Sequence, residues 1–428
     1  MLHASMSSPR GTDRVSRYIV GIDVGSATCM VGALTPDKQV VLKPFEVANA
    51  AAGFDRLHQK LAQLGCPSEE IVVGLEATGR YWENVYYFLQ ARGYRLVLLH
   101  PAQTQHFAQR RGLRAKTDKL DALTIARALL SDDVRPAYVP NDRTATYREL
   151  VRLHSNLSDE AARYKNEILD LVVVLFPEFP QVFKDPTRKT ALAVLRAYPS
   201  AQAIAVVGVD AIAAVLHTEA PRNYGRDTAE RLVALAQRSS ASPVAVAARG
   251  RSLAILADQL AHTQTNIAEL EREIEALLRK DDGATGLQSM PEFGPKTVAV
   301  LRAELGEVER FQRSEQVVAY AGLDVTVRES GKWKGQRKLS KRGSGALRRG
   351  LYMAAFGCLR AKHSAFRAYY EALVARGVKG RRALIAVMRK LLVVAYHLLK
   401  SLPCGFRTTP HENPVHSTLR LVARSIFL

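Results

Sequence analysis

Residues 18–34 read YIVGIDVGSATCMVGAL and contain two short runs of apolar, largely β-branched residues separated by small turn residues. A third run, Gln39–Val47, follows after Pro-Asp-Lys. Closely spaced runs of this kind are typical of strands joined by tight turns. The sequence therefore predicts an antiparallel meander of three strands, Tyr18–Val24, Thr28–Leu34 and Gln39–Val47.

The next hundred residues alternate between helical and strand patterns. The two strand patterns are continuously apolar, which favours a parallel arrangement in a sheet that is covered on both faces. The expected elements are a helix over Ala51–Leu64, a strand over Ile71–Glu76, a helix over Tyr81–Ala91, a strand over Arg95–His100 and a helix over Asp118–Leu130. The order β-β-β-α-β-α-β-α is that of the ribonuclease-H-like fold, so we expect an α/β domain of this class over residues 17–135.

The remainder of the chain has mainly helical patterns. We expect residues 140–283 to form a helical linker, in which the periodic segments 143–175 and 250–280 are the arms of an antiparallel hairpin or, alternatively, a coiled coil that binds a partner. Proline and glycine interrupt the helical pattern between them, over residues 184–248. A mainly helical C-terminal domain is expected over 285–402, with a helix-hairpin-helix-like turn at Leu287–Thr297, an amphipathic helix at 380–400 and a loose tail over 403–428.

The composition narrows the class of partner. The 428 residues carry a formal net charge of +20, and 47% of them are hydrophobic, which is enough to build packed cores. The four cysteines lie far apart in the sequence without a CxxC pair, which argues against a disulfide framework and against a cysteine-based zinc module. Because the N-terminus lacks the apolar core of a signal peptide and Arg389, Lys390 and His397 interrupt the apolar stretch 383–399, the charge points to nucleic acid rather than to a membrane.

Four acidic residues of the first domain are candidates for chemistry. Asp23 is expected at the centre of the first strand, where an unpaired carboxylate would be costly, and Glu76 ends the fourth strand, at the edge where open α/β sheets bind ligands. Asp118 and Asp121 are three residues apart at a predicted helix start and share one face. Taken alone, Asp118 is better explained as a helix cap and Asp121 as a favourable first-turn charge. Together, the four carboxylates can hold Mg²⁺, and two such ions can stabilise both oxygens of a phosphodiester displacement.

A strongly basic stretch follows in the C-terminal domain. Residues 328–349, RESGKWKGQRKLSKRGSGALRR, include nine Lys or Arg among 22 residues and a single acid, Glu329. The density of charge favours nucleic-acid contact over a merely solvated loop, and Trp333 can stack on a base. Ser330 is either a turn residue or a nucleophile that a base or metal activates. The predicted nucleic-acid contacts are Lys296, Lys332, Trp333, Lys334, Arg337, Lys338, Lys341, Arg342, Arg348 and Arg349.

Several motifs, taken in order, resemble one known family. They are GIDVGSAT, LEATGRY, LRAKTDKLDA, MPEFGPKTVAVLRAELG, YAGLDVTVRESG and SKRGSGALRRGLYMAA. In combination they are similar to the DEDD transposases of bacterial insertion sequences, the one-ten family. The resemblance covers residues 18–135 and 285–400, whereas 184–248 looks like an insertion relative to shorter members.

The resemblance implies a RuvC-like N-terminal domain whose four acids fall on Asp23, Glu76, Asp118 and Asp121, and a transposase domain whose serine nucleophile falls on Ser330. It further implies cutting and rejoining of donor and target DNA with Mg²⁺ through a covalent serine–DNA intermediate. A structured bridge RNA guides members of the family, and their active halves come from different protomers. We therefore expect a homo-oligomer, a dimer or tetramer, in the bacterial cytoplasm in association with the nucleoid.

Three other functions fit parts of the pattern. A metal-dependent nuclease or junction resolvase would use the same acids with water as nucleophile, leaving Ser330 as a phosphate contact. A sugar-kinase-like phosphotransferase would explain GIDVGSAT, but the sequence lacks a second glycine-rich phosphate loop and an adenosine motif. A non-catalytic RNA-binding protein would explain the charge and leave Asp23 without a role.

Overall fold

The computed structural model of the chain describes residues 16–77, 79–110, 118–131, 135–326, 329–330, 333–334 and 338–401. For some of these, including Asp118, Asp121 and Ser330, only the backbone is described. The chain divides into two compact units, Met1–Pro140 and Asn141–Leu428.

The N-terminal unit contains a mixed sheet of five strands in the order β3-β2-β1-β4-β5. The first three strands form an antiparallel meander, and β4 and β5 continue the sheet in parallel with β1. Its elements are β1 (Tyr18–Val24), β2 (Thr28–Leu34), β3 (Val40–Ala48), α1 (Ala51–Ala62), β4 (Ile71–Glu76), α2 (Trp82–Gln90), β5 (Arg95–Leu99), α3 (Pro101–Arg110) and α4 (Asp118–Leu129). The predicted strands and helices of this unit are thus confirmed to within two residues at each end.

Helices cover both faces of the central strands. Alternate residues of β1 and β4, such as Val20 and Val73, share one apolar core with α1 and α2. On the other face α4 lies directly on the sheet, because glycines leave room for it: a Cβ atom at Gly32 would lie 2.8 Å from Leu123 Cδ2, and one at Gly74 would lie 2.5 Å from Leu129 Cδ1. The continuous apolar composition of these strands therefore reflects burial on both sides.

Two details of this unit differ from the sequence-based predictions. Asp23 is the last but one residue of β1 and is half-buried, so its placement at the centre of the strand was wrong. Helix α3 was not predicted, although Pro101 at its first position is a common helix start.

The C-terminal unit is mainly helical, and its described residues include four two-residue strands. Its elements are α5 (Asp142–Leu175), α6 (Lys189–Ala197), α7 (Ala201–Glu219), α8 (Arg226–Gln237), α9 (Val246–Leu278), α10 (Asp282–Gln288), α11 (Pro295–Leu305), α12 (Ser314–Tyr320), β6 (Val325–Thr326), β7 (Glu329–Ser330), β8 (Trp333–Lys334), β9 (Lys338–Leu339), α13 (Gly345–Arg360), α14 (Ala365–Ala375) and α15 (Gly380–Ser401). A mixed five-stranded sheet followed by a mainly helical remainder, as predicted, is therefore the architecture of the chain.

The two long helices α5 and α9 pack against each other as an antiparallel hairpin. At one end Tyr147 of α5 and Leu278 of α9 join the core that α11, α13 and α15 also build. At the other end Ile168 of α5 and Leu253 of α9 belong to a second core with α6, α7 and α8. The hairpin prediction is confirmed, and the predicted insertion 184–248 packs on the hairpin's far end.

Polar contacts lie near both ends of this hairpin. Near its base Asp281, which is 2% exposed, accepts hydrogen bonds from Arg302 Nε at 2.7 Å and from Arg302 Nη2 at 3.0 Å. Near its far end Glu178 accepts hydrogen bonds from Ser239 and Ser240. Although partial burial raises it, these hydrogen bonds hold the pKa of Glu178 at about 2.

Among the described residues, one helix, α7, is long and apolar enough to cross a membrane by length and composition alone. Gly208, with φ +79°, interrupts its helical backbone near the middle. Ile204, Ile212 and Leu216 pack into the core that α7 shares with α8 and the hairpin. Together with Ala201, these are the buried residues of the helix, whereas Val206 is 83% exposed.

The predicted helix-hairpin-helix-like turn lies between α10 and α11. The turn inserts Met290 and Phe293 into the core of the C-terminal unit. Gly294 precedes α11, whose first residue is Pro295. A plain helix–turn–helix packing element requires burial of both apolar side chains, as found here. Phosphate binding by this turn stays a prediction.

Candidate nucleic-acid-processing site

Two of the predicted acidic residues lie side by side at one edge of the sheet. Strands β1 and β4 are parallel neighbours, and their register pairs Gly21 with Gly74 and Ile22 with Leu75. Continuing this register by one residue places Asp23 opposite Glu76, on strands about 5 Å apart. Side chains alternate between faces along a strand, so both carboxylates lie on the face of Gly21 and Gly74, which is the face that α4 covers.

Helix α4 runs against this face in the direction opposite to β1. A Cβ atom at Gly21 would lie 2.0 Å from the carbonyl oxygen of Ala122, so the first turns of α4 touch β1 two residues before Asp23. The last residues of α4 pack near the other end of β1, in a cluster that includes Ile19 and Leu34. The start of α4, which carries Asp118 and Asp121, is therefore directed towards the edge that holds Asp23 and Glu76. The side chains of Asp118 and Asp121 lie outside the described residues.

Thr104 is a neighbour of Glu76 that the sequence did not reveal. This threonine lies on α3, is 6% exposed, and its hydroxyl donates a hydrogen bond of 2.5 Å to Glu76 Oε2. Such a bond fixes the orientation of a carboxylate, as supporting residues do around metal ligands. Pro101, the first residue of α3, was the sequence signal that could have located this helix and with it Thr104.

The donor set at this edge suits a divalent cation. Two half-buried carboxylates on neighbouring strands repel each other, and hard oxygen ligands are those that Mg²⁺ prefers. Burial, and secondarily the charge of Asp23, raises the pKa of the nearby Cys29 thiol to about 12. Among the side chains that the structure describes, no three His, Cys, Asp or Glu residues form a metal cluster. Asp23 and Glu76 are two of the four predicted metal ligands, and the side chains of the other two are not described.

Ser330 lies in a short β-hairpin of the C-terminal unit. Strands β7 and β8 are antiparallel, and their register pairs Glu329 with Lys334 and Ser330 with Trp333. Ser330 is thus the last residue of β7, and the register places the predicted nucleophile opposite the predicted stacking residue, Trp333.

The structure commits three of the predicted nucleic-acid contacts to other partners. Lys296 Nζ lies 2.5 Å from Glu271 Oε1 on α9. Arg349 Nη1 donates a 2.6 Å hydrogen bond to Asp159 on α5, which lowers the pKa of that carboxyl and raises that of Arg349. Arg348 donates to the backbone carbonyl oxygens of Ala321, before the basic stretch, and of Gly343, within it. These three side chains thus have partners inside the protein that the sequence analysis did not assign to them.

The other predicted contacts fall into two groups. Lys341 and Arg342 are exposed at the end of the basic stretch, and Lys341 adopts φ +53°. The remaining predicted contacts are described only by their backbone or lie outside the described residues. They are Trp333, Lys334 and Lys338, in β8 and β9, and Lys332 and Arg337.

Two family models match this sequence. The DEDD transposase model of IS110 matches residues 20–177, which include Asp23, Glu76, Asp118 and Asp121. A model described as the transposase IS116/IS110/IS902 family matches residues 284–371, which include Ser330 and the basic stretch.

Several known proteins are similar to this chain over nearly their whole length. The uncharacterized 43.6 kDa protein of insertion element IS110 from Streptomyces coelicolor is 28% identical over 89% of this chain and 93% of its own. The uncharacterized 42 kDa protein of insertion element IS900 from Mycobacterium paratuberculosis is 28% identical over 89% of this chain and 95% of its own. The pilin gene-inverting protein of Moraxella lacunata is 21% identical over 94% of this chain and 100% of its own.

Proposed function

The chain belongs to the IS116/IS110/IS902 family of transposases, and we propose that it cuts and rejoins DNA through a covalent bond between Ser330 and a DNA phosphate, with Mg²⁺ held by four carboxylates. It is a DNA transposase or recombinase, and the DEDD family implies use of a divalent metal. The observation that carries the finer proposal is the neighbouring placement of Asp23 and Glu76 on the sheet face towards which the start of α4 is directed.

The metal part of the proposal rests on the geometry of the N-terminal unit. Asp23 and Glu76 supply two oxygen donors at the carboxyl edge of parallel strands, and α4 brings Asp118 and Asp121 towards the same edge. The order of strands and helices supports the assignment of a ribonuclease-H-like, RuvC-like domain that forms part of this proposal. Mg²⁺, when bound there, offsets negative charge on a phosphodiester and favours ionisation of an attacking hydroxyl. Thr104 orients Glu76 for this task through its hydrogen bond.

The nucleophile is Ser330, at the end of a hairpin strand within a cationic stretch. Its Oγ forms an ester bond to phosphorus while the bond from phosphorus to a deoxyribose oxygen breaks, and the serine proton passes to the departing oxygen directly or through solvent. One phosphodiester is exchanged for another, so a free DNA hydroxyl can reverse the step without ATP. The pilin gene-inverting relatives support this proposal, because inversion of a DNA segment requires strands to be both cut and rejoined.

The partners of the reaction follow from the family resemblance and the charge. Donor and target DNA are the substrates. A structured guide RNA and assembly into a homo-oligomer, in which Ser330 of one protomer meets the acids of another, extend the proposal. The net charge of +20 supports binding of such polyanions.

The test is a search for the covalent intermediate. The full chain is incubated with its candidate guide RNA, Mg²⁺ and labelled DNA carrying the junction of the element, and the products are separated under denaturing conditions. We expect a protein–DNA adduct that maps to Ser330 by peptide mass spectrometry, and none with Ser330→Ala or Asp23→Asn. Ser252→Ala, on the exposed face of α9, is the matched control and should form the adduct at the normal rate.

The rival nuclease makes the opposite prediction for Ser330. If water is the nucleophile, Ser330→Ala retains substantial cutting, no adduct forms with either protein, and the ends are not rejoined. That result would overturn the serine mechanism while leaving the four carboxylates as the catalytic set.

A further inference from the structure

The segment that carries Ser330 leaves the helical core after α12 and returns to it at α13. Where it leaves and returns, strands β6 and β9 form a short antiparallel ladder that pairs Val325 with Leu339. Just outside this ladder the Ser340 backbone amide donates to Asp324 O at 3.0 Å, and the Ser340 hydroxyl donates to the Asp324 carboxylate. The two ends of the segment are therefore bonded to each other by backbone and side chain.

Below this ladder the backbones of the two ends are in contact. A Cβ atom at Gly343 would lie 1.8 Å from Tyr320 O and 2.6 Å from Gly322 N, so only glycine permits the approach. The Lys341 amide donates to Gly322 O at 3.1 Å, and Gly322 has φ +65°, a conformation that glycine adopts without strain. The crossing of the chain at these glycines forms a narrow neck, which we define as residues 320–324 and 340–344.

Arg348 ties the two sides of this neck together. Its Nη1 atom donates to Ala321 O at 3.0 Å on the outgoing side and to Gly343 O at 2.7 Å on the returning side. The side chain is partly buried on the first turns of α13, whose N-cap Ser344 also belongs to the neck. One guanidinium therefore bonds both ends of the segment to the helix that anchors it.

We propose that Arg348 is a positioning residue, which holds the neck in one conformation so that the hairpin bearing Ser330 is presented in a fixed place to the phosphodiester. This inference rests on the proposed function of Ser330. The Arg348 guanidinium donates hydrogen bonds to two backbone carbonyl oxygens of the neck. Its assigned role is therefore internal, instead of the phosphate contact that the sequence alone predicts.

The physical basis is the sensitivity of displacement reactions to geometry. A misplacement of about 1 Å of a reacting group lowers the rate by roughly 100-fold. The neck joins this segment to the helical core at both of its ends, so additional motion of the neck is transmitted to Ser330. Loss of Arg348 would therefore lower the rate of the chemical step more than the affinity for DNA.

The test compares three variants of the full chain: Arg348→Ala, Arg348→Lys and the matched control Arg360→Ala. Arg360 lies at the far end of the same helix, over the ring of Phe356, so its removal takes the same charge from α13 without affecting the neck. Three quantities are measured: the single-turnover rate of adduct formation, the salt dependence of DNA affinity, and amide hydrogen exchange over residues 320–324 and 340–344.

We expect Arg348→Ala to lower the adduct rate about 10- to 100-fold and to accelerate amide exchange in the neck. Its DNA affinity and salt dependence should equal those of the unchanged chain. Arg348→Lys, which keeps one donor group within reach of the carbonyl oxygens, should restore part of the rate. Arg360→Ala should change neither the adduct rate nor the exchange in the neck.

A second variant keeps the inference testable if Arg348→Ala does not fold. Ser340→Ala removes only the hydroxyl bond to Asp324 and should produce the same pattern to a lesser degree. The inference is overturned if Arg348→Ala leaves neck exchange and adduct rate unchanged, or if it lowers the salt slope by about 0.9, the value for one lost phosphate contact. An adduct that persists in Ser330→Ala would instead refute the proposed function and leave the exchange result standing.

Discussion

Gly21→Ala is a severe test of how the sheet and α4 fit together. The added Cβ would lie 2.0 Å from Ala122 O and 2.6 Å from Ala126 N, and both of these atoms belong to the backbone of α4. Ordinary contact begins at 3.4 Å, so the helix would have to move away from β1 by more than 1 Å. No side-chain rotation can relieve the overlap, because backbone atoms form both sides of the contact.

The magnitude follows from two opposing effects. Overpacking of a closely fitted core costs about 1–3 kcal/mol, and the upper part of this range applies because backbone must shift. Replacing glycine in the unfolded chain returns about 0.4–1 kcal/mol. The net loss of about 2 kcal/mol should lower the melting temperature of the N-terminal unit by roughly 5–10 °C. Because α4 carries Asp118 and Asp121, the same shift should reduce metal-dependent cutting by about 100-fold.

The assay pairs thermal unfolding with the rate of DNA cutting. Gly357→Ala is the matched control: this glycine lies within α13, and a Cβ there meets no atom within 4 Å. Its replacement should stabilise α13 by about 0.5–1 kcal/mol and leave cutting unchanged. If Gly21→Ala melted and cut like the unchanged chain, α4 would not lie on β1 at this position, and the placement of its first turn beside Asp23 would be wrong.

Three further predictions concern single contacts. Thr104→Val removes the hydrogen bond to Glu76 while keeping the side-chain shape, and should lower cutting about 10-fold at limiting Mg²⁺, with partial recovery when the metal concentration is raised. Arg302→Met leaves the buried charge of Asp281 without its main partner and should cost about 3–5 kcal/mol in urea unfolding, part of which Asp281→Asn in the same chain restores. The pKa of Glu178 is about 2 in the folded chain, against an ordinary value of 4.5. The stability that the Glu178 carboxylate adds to the folded chain, relative to Glu178→Gln, is therefore complete above pH 4.5 and disappears as the pH falls towards 2. Equal unfolding curves of the unchanged chain and Glu178→Gln at pH 6 would contradict this.

Much of the N-terminal sheet was predictable because its signals are local. The runs around Tyr18–Leu34 alternate with turn residues, and continuous apolar strands at Ile71–Glu76 and Arg95–Leu99 indicate burial on two faces. The missed helix α3 has a high content of polar residues, so its helical periodicity is weak, and only Pro101 marks its start. The close approach of α4 depends on Gly21, whose role no local pattern reveals.

The candidate site was predictable in its residue types and only partly in its geometry. Sequence position alone could identify Asp23 and Glu76 as carboxylates in strands, with Glu76 at a strand end. It could not show that the two carboxylates are neighbours, because β1 and β4 are adjacent in the sheet but are separated in the chain by β2, β3 and α1. Thr104 escaped notice for the same reason, since its bond to Glu76 spans 28 residues of sequence.

The basic residues show why charge density in a sequence overstates a binding surface. An arginine or lysine whose hydrogen bonds are already accepted within the protein is less free to bind phosphate, and acceptors from distant helices cannot be seen in a local window. Asp159 on α5 accepts from Arg349, Glu271 on α9 from Lys296, and two backbone carbonyls from Arg348. We therefore propose a contact surface for nucleic acid that is narrower than the run of positive charge and that concentrates on the segment between the two sides of the neck, where Ser330 lies. Under the proposed function, a cation that fixes this segment contributes to catalysis through Ser330, because a nucleophile acts only from a defined position.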